Sequence, residues 1–556
     1  MSRPPQTALH FIPFDPSTNT RRSEVIREVR SHAGRWTWEH TRQCRDQGKC
    51  NAVEDEDDAS NQATASSLTS NVRNLSSTAC KTDSASQDLS RVSGTASRPV
   101  GHDTEKDQQH VPRHYQVENL DASIVDPFHT RVPSPIPLDA VDMNDKYALL
   151  VLWPGLMPSS PIGGIHAGVH AWFLYSQSDP TLHNAMLFGS FSHRRALIKG
   201  QGDFYARDVK NMTLSLVNSI SMINKDIQNP SRALVDEVIL SVLCLANNDN
   251  PRGEKTQESP FQPPLRSLQW LNIYGSLSPN SIHQAGLANL VCLKGGLEKI
   301  ELPGLAAIIS FSSILGASRS ISQPQFPFVS LQSGIPPTLH DVINTQDPMI
   351  CHGPDILLAL QVPEEMQKVF YAARAYLSLV EAYVEGAPMA RDTAVICDYR
   401  NLVQWHIMSL PPGSQLHYPF HQIYSTYECC RLALVIVGVG VIFPLPAGSL
   451  PRLELARMLL HELQQYEHIL VASSSIDALK MHCWCVVLGG IAASGSQERK
   501  WFVHELGRLA FSMPISSWRS LHTMLSSILW LDSGCSEAGK DLWTEAMRHI
   551  EPVPPT

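Results

Sequence analysis

The sequence predicts an all-α fold: one large multi-helix domain of antiparallel helix pairs over residues 139–556. Before it come a linker over 46–138, expected to be disordered, and an arm over 1–45 with one short helix. Three observations predict this. From about Val141 onward, apolar residues recur at steps of three and four, the period of a helix with one buried face. Short turns marked by Gly, Pro, Asn and Asp join these segments, which implies antiparallel neighbours. Between the arm and the first such segment the composition turns to Ser, Thr, Asn, Gln and Asp, with too little apolar surface to offset the entropy of ordering the chain. With 556 residues, 43% of them apolar, the helical part can bury a sizeable core.

The arm is locally basic: residues 1–49 hold nine Lys or Arg against five Asp or Glu, in a chain of net charge −9. Val25, Ile26, Val29, Ala33 and Trp36 fall at helical spacing, and Ser23 followed by Glu24 suits a helix start. Arg21, Arg22, Arg27 and Arg30 flank that stripe. Two readings stand: a nuclear-targeting or phosphate-contacting helix, or an amphipathic arm whose arginines are simply solvated. The acidic run Glu54 to Asp58 opens the linker, and because few bulky apolar residues alternate with its acids, a linker is the better reading than an activation segment.

Order is expected to begin over Val141 to Trp153 and to be firmly helical around Val169, Trp172, Phe173 and Tyr175, with Asp179 and Pro180 opening the next helix. Two further helices are expected at about 204–227 and 231–246, broken apart at Asn229 and Pro230. A helix from about Ser281 buries Leu287, Leu290 and Val291. Gly295 and Gly296 then end it by permitting a left-handed turn. Termination is preferred for this pair over phosphate binding, which wants a preceding strand and a fuller glycine pattern. Residues 323–363 are proline-rich and loop-like with one short helical stretch, and long helices follow at about 363–385, 389–409, 419–443 and 450–472. The apolar run Leu432 to Phe443 stops at Pro444, short of the roughly 18–20 residues that span a bilayer, so it is expected to be a buried helix and not a membrane segment.

Four apolar-faced segments close the chain. Ile476, Leu479, Cys483, Val486, Val487 and Gly490 mark one buried face of the first; Phe502, Leu506 and Leu509 mark the second, with Arg499, Glu505 and Arg508 left to solvent. Trp518, Leu521, Leu525 and Ile528 form the third stripe, and Leu542, Ala546 and Ile550 the fourth. Gly490 costs its helix ~1 kcal/mol relative to alanine, so it is expected where a neighbouring helix comes close.

No catalytic residue, cofactor or metal site is expected. Twelve cysteines are scattered through the chain, which points to free thiols in a reducing compartment. Cys483 and Cys485 lie about 200° apart around a helix and cannot jointly hold one ion. His461 and Glu462 match half of a zinc-protease helix, but Gln465 stands where the second histidine belongs. His166 and His170, at i and i+4, are the best ligand-like pair, and without a third ligand they read as polar residues of an early helix. No nucleophile elbow, Walker loop or kinase signature is present. A pI of about 6.2 gives the chain no global nucleic-acid signature.

Trp484, Gly489, Gly490, Arg499, Trp501, Phe502, Trp518, Trp530, Leu531 and Trp543, with the phrases IHQAGLANLVCLKGGLEKI from Ile282 and LALVIVGVGVIFPLP from Leu432, form a distinct set. Together they resemble the fungal-specific transcription factor domain, the helical regulatory region often found behind a zinc cluster. That cluster needs six closely spaced cysteines, and the first hundred residues offer Cys44, Cys50 and Cys80, so the resemblance is to a member lacking it. The resemblance implies a nuclear transcription regulator and not an enzyme. Its expected partners are other transcription proteins or a second copy of itself, with a small effector in view and no membrane. Direct DNA binding is expected to be weak. The alternative is a co-regulator or interaction scaffold that does not bind DNA.

Overall fold

The structure is a computed structural model that describes residues 135–160, 164–198, 206–248, 258–332, 334–345, 356–387, 392–416, 421–473 and 475–550. All of them belong to the compact unit Val117–Thr556. Among the described residues there are helices and no strand, so the fold is all-α. The arm, with Arg21, Arg22, Arg27 and Arg30, and the linker up to residue 134 lie outside the described residues.

The first half is built on α1 (Leu138–Tyr147), α2 (Ala167–Ser178), α3 (Pro180–Ile198), α4 (Ala206–Gln228) and α5 (Asp236–Asn247). Pro180 opens α3, where its missing N–H costs nothing. Just before it the Asp179 carboxylate accepts the Leu182 N–H at 2.9 Å and pairs with Arg232. Helices α4 and α5 pack along α3. Helix α5 starts later than the expected residue 231: Asn229 accepts from the Ser231 N–H at 3.1 Å and holds 229–235 in turns. Asp236 then heads α5 and takes the N–H groups of Glu301 and Leu302 at 2.8 and 2.7 Å and the Lys294 ammonium at 2.7 Å.

Next come α6 (Ser281–Lys294) and α7 (Leu305–Ser320). The Asn280 side chain caps α6 by accepting from Ile282 and His283, and Gly295 ends it at φ 101°, the left-handed turn expected of that glycine. Helices α8 (Glu364–Val384) and α9 (Thr393–Ser409) pack together; α9 starts later than the expected Met389 because Asp392 caps it through the Ala394 and Val395 N–H groups. Helix α10 (His421–Val437) continues through a π-helical turn, Gly438–Ile442, and the run Leu432 to Phe443 is buried throughout as expected.

The last group comprises α11 (Arg452–Ser473), α12 (Ile476–Ala492), α13 (Arg499–Ser512), α14 (Trp518–Ile528) and α15 (Asp532–Ile550). Helix α12 is the hub: α10, α11, α13, α14 and α15 all touch it. Here the one-faced stripe expected from the sequence is corrected. Met481 to Ala492 are buried on every side while Ile476 is exposed, because a helix apolar all round is stable only when surrounded. Trp484 sits at its centre, its Nε1–H donating to the Leu529 carbonyl at 2.8 Å and its ring 5.5 Å from that of Phe370.

The expectation that Glu505 faces solvent is also corrected. It is buried, with its carboxylate 2.9 Å from His482 Nε2 and bridged to Arg508 at 2.6 and 2.8 Å. At 3.6 residues per turn Glu505 lies only about 60° round from Phe502, on the margin of the buried stripe. Burial pushes its carboxyl up, but the bonds from His482 and Arg508 outweigh this and hold it below the ordinary range. Arg499 likewise has partners, chelating Glu545 at 2.8 and 2.7 Å and donating to the Gly490 carbonyl at 2.9 Å.

Gly490 lies where two helices close in. A Cβ there would meet Leu542 Cδ2 at 2.5 Å and Phe502 Cβ at 3.2 Å. Gly490→Leu is therefore expected to destabilise by ~1–3 kcal/mol. A urea midpoint equal to that of the parent protein would contradict the close approach.

Candidate functional site

A cleft of about 480 Å³ opens between the segment Gly275–Pro279, helices α6 and α7, residues 322–326 and the loop Pro446–Ser449. Its walls carry hydroxyls from Ser276, Ser312, Ser313 and Ser449, amides from Gln284 and Gln325, and one charged side chain, Arg319. No carboxylate is among the described residues that line it. All four serines are positioned by bonds of their own: Ser276 Oγ donates to the Ile273 carbonyl at 2.8 Å, Ser312 Oγ to Asn247 Oδ1 at 2.9 Å and Ser449 Oγ to the Pro446 carbonyl at 3.2 Å, and Ser313 Oγ accepts from the Phe326 N–H at 3.1 Å. Arg319 donates through Nη2 to the carbonyls of Tyr274 and Leu277, the latter at 3.0 Å, which fixes both the guanidinium and the rim beside it.

The rim is held from below by a buried polar cluster that periodicity does not reveal. Gln269 and Trp270 both take left-handed backbone angles, φ 58° and 54°, a conformation that costs a side-chain-bearing residue ~1–3 kcal/mol. Arg400 on α9 stabilises that turn. It is fully buried and donates to the Leu268 carbonyl at 2.8 Å, to Gln269 Oε1 at 2.7 Å and to Asn401 Oδ1 at 3.0 and 3.2 Å. Its guanidinium carbon also stands 5.0 Å from the Phe443 ring centre and 5.9 Å from that of Phe311. Nearby Asp398 accepts from Ser330 Oγ at 2.5 Å and from the Leu331 and Gln332 N–H groups at 2.9 and 3.3 Å. Burial pushes its carboxyl up, against those bonds. The turn over 268–270 sets the course of the short helix Leu271–Tyr274 and hence of the cleft rim.

Two smaller cavities are less capable. One of about 50 Å³ is lined mainly by apolar groups, among them Leu152, Trp153, Trp172, Leu240 and Phe311. Another of about 10 Å³ lies among Cys429, Cys430, Met481, His482 and Cys485, room for about one water at most. Burial pushes the thiols of Cys429 and Cys485 well up, which makes them structural and unreactive.

His166 and His170 are not brought together. His166 caps α2, its Nδ1 accepting the Gly168 N–H at 3.0 Å and its Nε2 lying 2.9 Å from the Leu331 carbonyl oxygen, whereas His170 is exposed. Among the described residues no group of three or more His, Cys, Asp or Glu side chains is placed to hold a metal ion. No helix of the described residues is long and apolar enough to cross a membrane. The arginines singled out in the arm lie outside the described residues, so the cleft is a site that sequence reading missed. No family model, curated protein or solved structure matches the chain.

Proposed function

We propose that the chain is a transcription regulator of the fungal-specific transcription factor type, working through its helical body and without a zinc cluster. The observation that carries this reading is the cleft. One of its walls is α6, the helix that holds the phrase IHQAGLANLVCLK, and that phrase is part of the sequence resemblance. A helical body with an open polar cleft offers a small effector an empty and a filled state, and a ligand shifts a regulator by binding one state better than the other. The basic arm is the natural route to DNA, because its excess of arginine can neutralise phosphates, whereas the whole chain is net acidic. Other transcription proteins or a second copy of the chain are the partners, and the nucleus is the place of action.

The test is genome-wide promoter occupancy of the full chain and of a form in which Arg21, Arg22, Arg27 and Arg30 are changed together to alanine, both carrying a foreign nuclear-targeting signal. Occupancy that falls in the arm variant is the expected result. Direct DNA affinity measured alongside should be low and should drop steeply as salt rises. Absence from chromatin in the unaltered protein would overturn the reading. Occupancy that requires another factor and ignores the arm would replace it with a co-regulator or scaffold.

A further inference from the structure

We propose that the apolar cavity of about 50 Å³ is a binding site for a short-chain neutral alcohol, its carbon chain held by the apolar walls and its hydroxyl by Asn248. Of the described lining residues only Ser312 is shared with the polar cleft, and the proposal does not depend on the regulatory reading.

The walls decide the first half of the ligand. Residues 152–156 and helices α2, α3, α5 and α7 all contribute to them, and no Asp, Glu, Lys or Arg is among the described residues that line the cavity. Such surroundings exclude an ion, because a charge brought into them loses its hydration and meets no counter-charge. A neutral carbon chain gains by leaving water for the same walls. Volume sets the limit. An apolar cavity of about 150 Å³ takes benzene, so one a third of that size suits a skeleton of about three carbons.

Asn248 decides the polar end. It lies on the cavity wall and is 6% exposed. Its Nδ2 donates to the Cys244 carbonyl at 2.8 Å, which fixes the orientation of the amide and leaves Oδ1 buried with no hydrogen-bond partner. A buried acceptor without a donor is costly, and a ligand hydroxyl supplies the missing proton. A ketone of the same size has none to give. Tyr274 stands on the same wall, and burial keeps its hydroxyl protonated, so the wall also offers a donor to the alcohol oxygen.

Gly189 adds an observation from the fold itself. It is buried inside α3 and lines the cavity, yet a Cβ there would meet only Asn248 Nδ2, at 3.6 Å, an ordinary contact. A helical glycine is less favourable than alanine, and packing does not demand this one; its effect is to leave the cavity open.

The experiment follows the Met186 methyl group, on the cavity wall, by NMR of the full chain carrying carbon-13 in its methionine methyls, while propan-2-ol or acetone is added. The two ligands share a three-carbon skeleton, and only the alcohol can donate. Propan-2-ol should shift the Met186 signal saturably in the millimolar range, with acetone about three- to tenfold weaker. Asn248→Leu should bring the two ligands level. Gly189→Ala should weaken propan-2-ol by about fivefold or more while its urea midpoint stays level or rises. Gly286→Ala, also helical and unobstructed but outside the cavity, should bind as the parent protein does. If Asn248→Leu fails to fold, the ligand pair and Gly189→Ala still decide. A shift that grows in proportion to concentration without saturating would mean an adventitious additive only and would overturn the proposal. So would acetone binding as tightly as propan-2-ol to the parent protein, or full binding by Gly189→Ala.

Discussion

Arg400→Met is expected to destabilise the protein by about 2–4 kcal/mol, although it removes a buried cation that has no carboxylate in its hydrogen-bond set. Two effects oppose each other. Methionine has similar reach and no charge, so the desolvation penalty of the guanidinium, several kcal/mol, disappears. Against that, the Leu268 carbonyl and Asn401 Oδ1 lose the donors they face, at about 1–3 kcal/mol each. The contacts over the rings of Phe443 and Phe311 go as well, and a desolvated cation–π contact is worth about 2 kcal/mol. Gln269 Oε1 is partly protected, since Asn401 Nδ2 also donates to it at 3.0 Å. What tips the sum is the left-handed pair Gln269 and Trp270: without the arginine fork their backbone strain has less to hold it. Arg400→Lys should lose a comparable amount, because a single ammonium cannot reproduce the planar fork that reaches Leu268, Gln269 and Asn401 together. The measurements are the midpoint of the first unfolding transition in urea and amide exchange over residues 265–277, which should speed up in both variants. Wild-type midpoints in both would refute the account.

That cluster also shows where sequence reading stops. Helix α12 was legible as a helix because its apolar residues keep the period of three and four, and α6 was legible to its last residue because Gly295 is a turn signal. Periodicity reports which face is apolar and not how many neighbours surround it. The sequence therefore showed one buried stripe in α12, where six helices, the short Ile356–Ala359 among them, in fact enclose it. Side-chain partners distant in sequence are invisible to the same signal. Arg400 reads as a polar break in an apolar helix, and its partner turn lies at Leu268 and Gln269. Glu505 reads as a surface acid until α12 brings His482 against it. The cleft is harder still, because it is assembled from a rim at 275–279, α6, α7 and a loop at 446–449. Its one local trace is Gly316, a glycine inside a helix with no turn to make.

Acid should weaken the protein through His193 well before the carboxylates titrate. His193 is fully buried on α3, and burial pulls its pKa down to about 3, so the folded protein takes up this proton only in strong acid. An unfolded chain takes it up near 6.5. Between those values the unfolded state binds one proton more than the folded state. This contribution is therefore fully present above about pH 6.5 and is lost as pH falls, by ~1.4 kcal/mol per unit, the loss reaching roughly 4–5 kcal/mol by pH 3. The surroundings give the imidazolium no relief. The Tyr147 hydroxyl is hydrogen-bonded to Nδ1 at 2.7 Å, the Arg194 guanidinium stands 5.9 Å from the Tyr147 ring, and the rings of Trp270 and Tyr274 lie 4.8 and 5.6 Å from that of His193. Burial keeps both tyrosines neutral, and none of these neighbours is a carboxylate. Half-buried His406, also pulled down by burial, adds a smaller effect of the same sign. Glu505, held low by its partners, contributes only as pH falls through and below the ordinary carboxylate range near 4.3. Asp398, whose carboxyl burial pushes up, works the other way, since it takes up its proton more readily in the folded chain. That contribution is common to the parent protein and a His193 variant, so the difference between their slopes over the window from pH 6.5 to 5 isolates His193. His193→Gln keeps an acceptor for Tyr147 and removes the titration, so its urea midpoint should change less steeply across that window, by the equivalent of ~1.4 kcal/mol per pH unit. Parallel slopes for the parent protein and His193→Gln would mean that the imidazole is not held neutral in the folded chain.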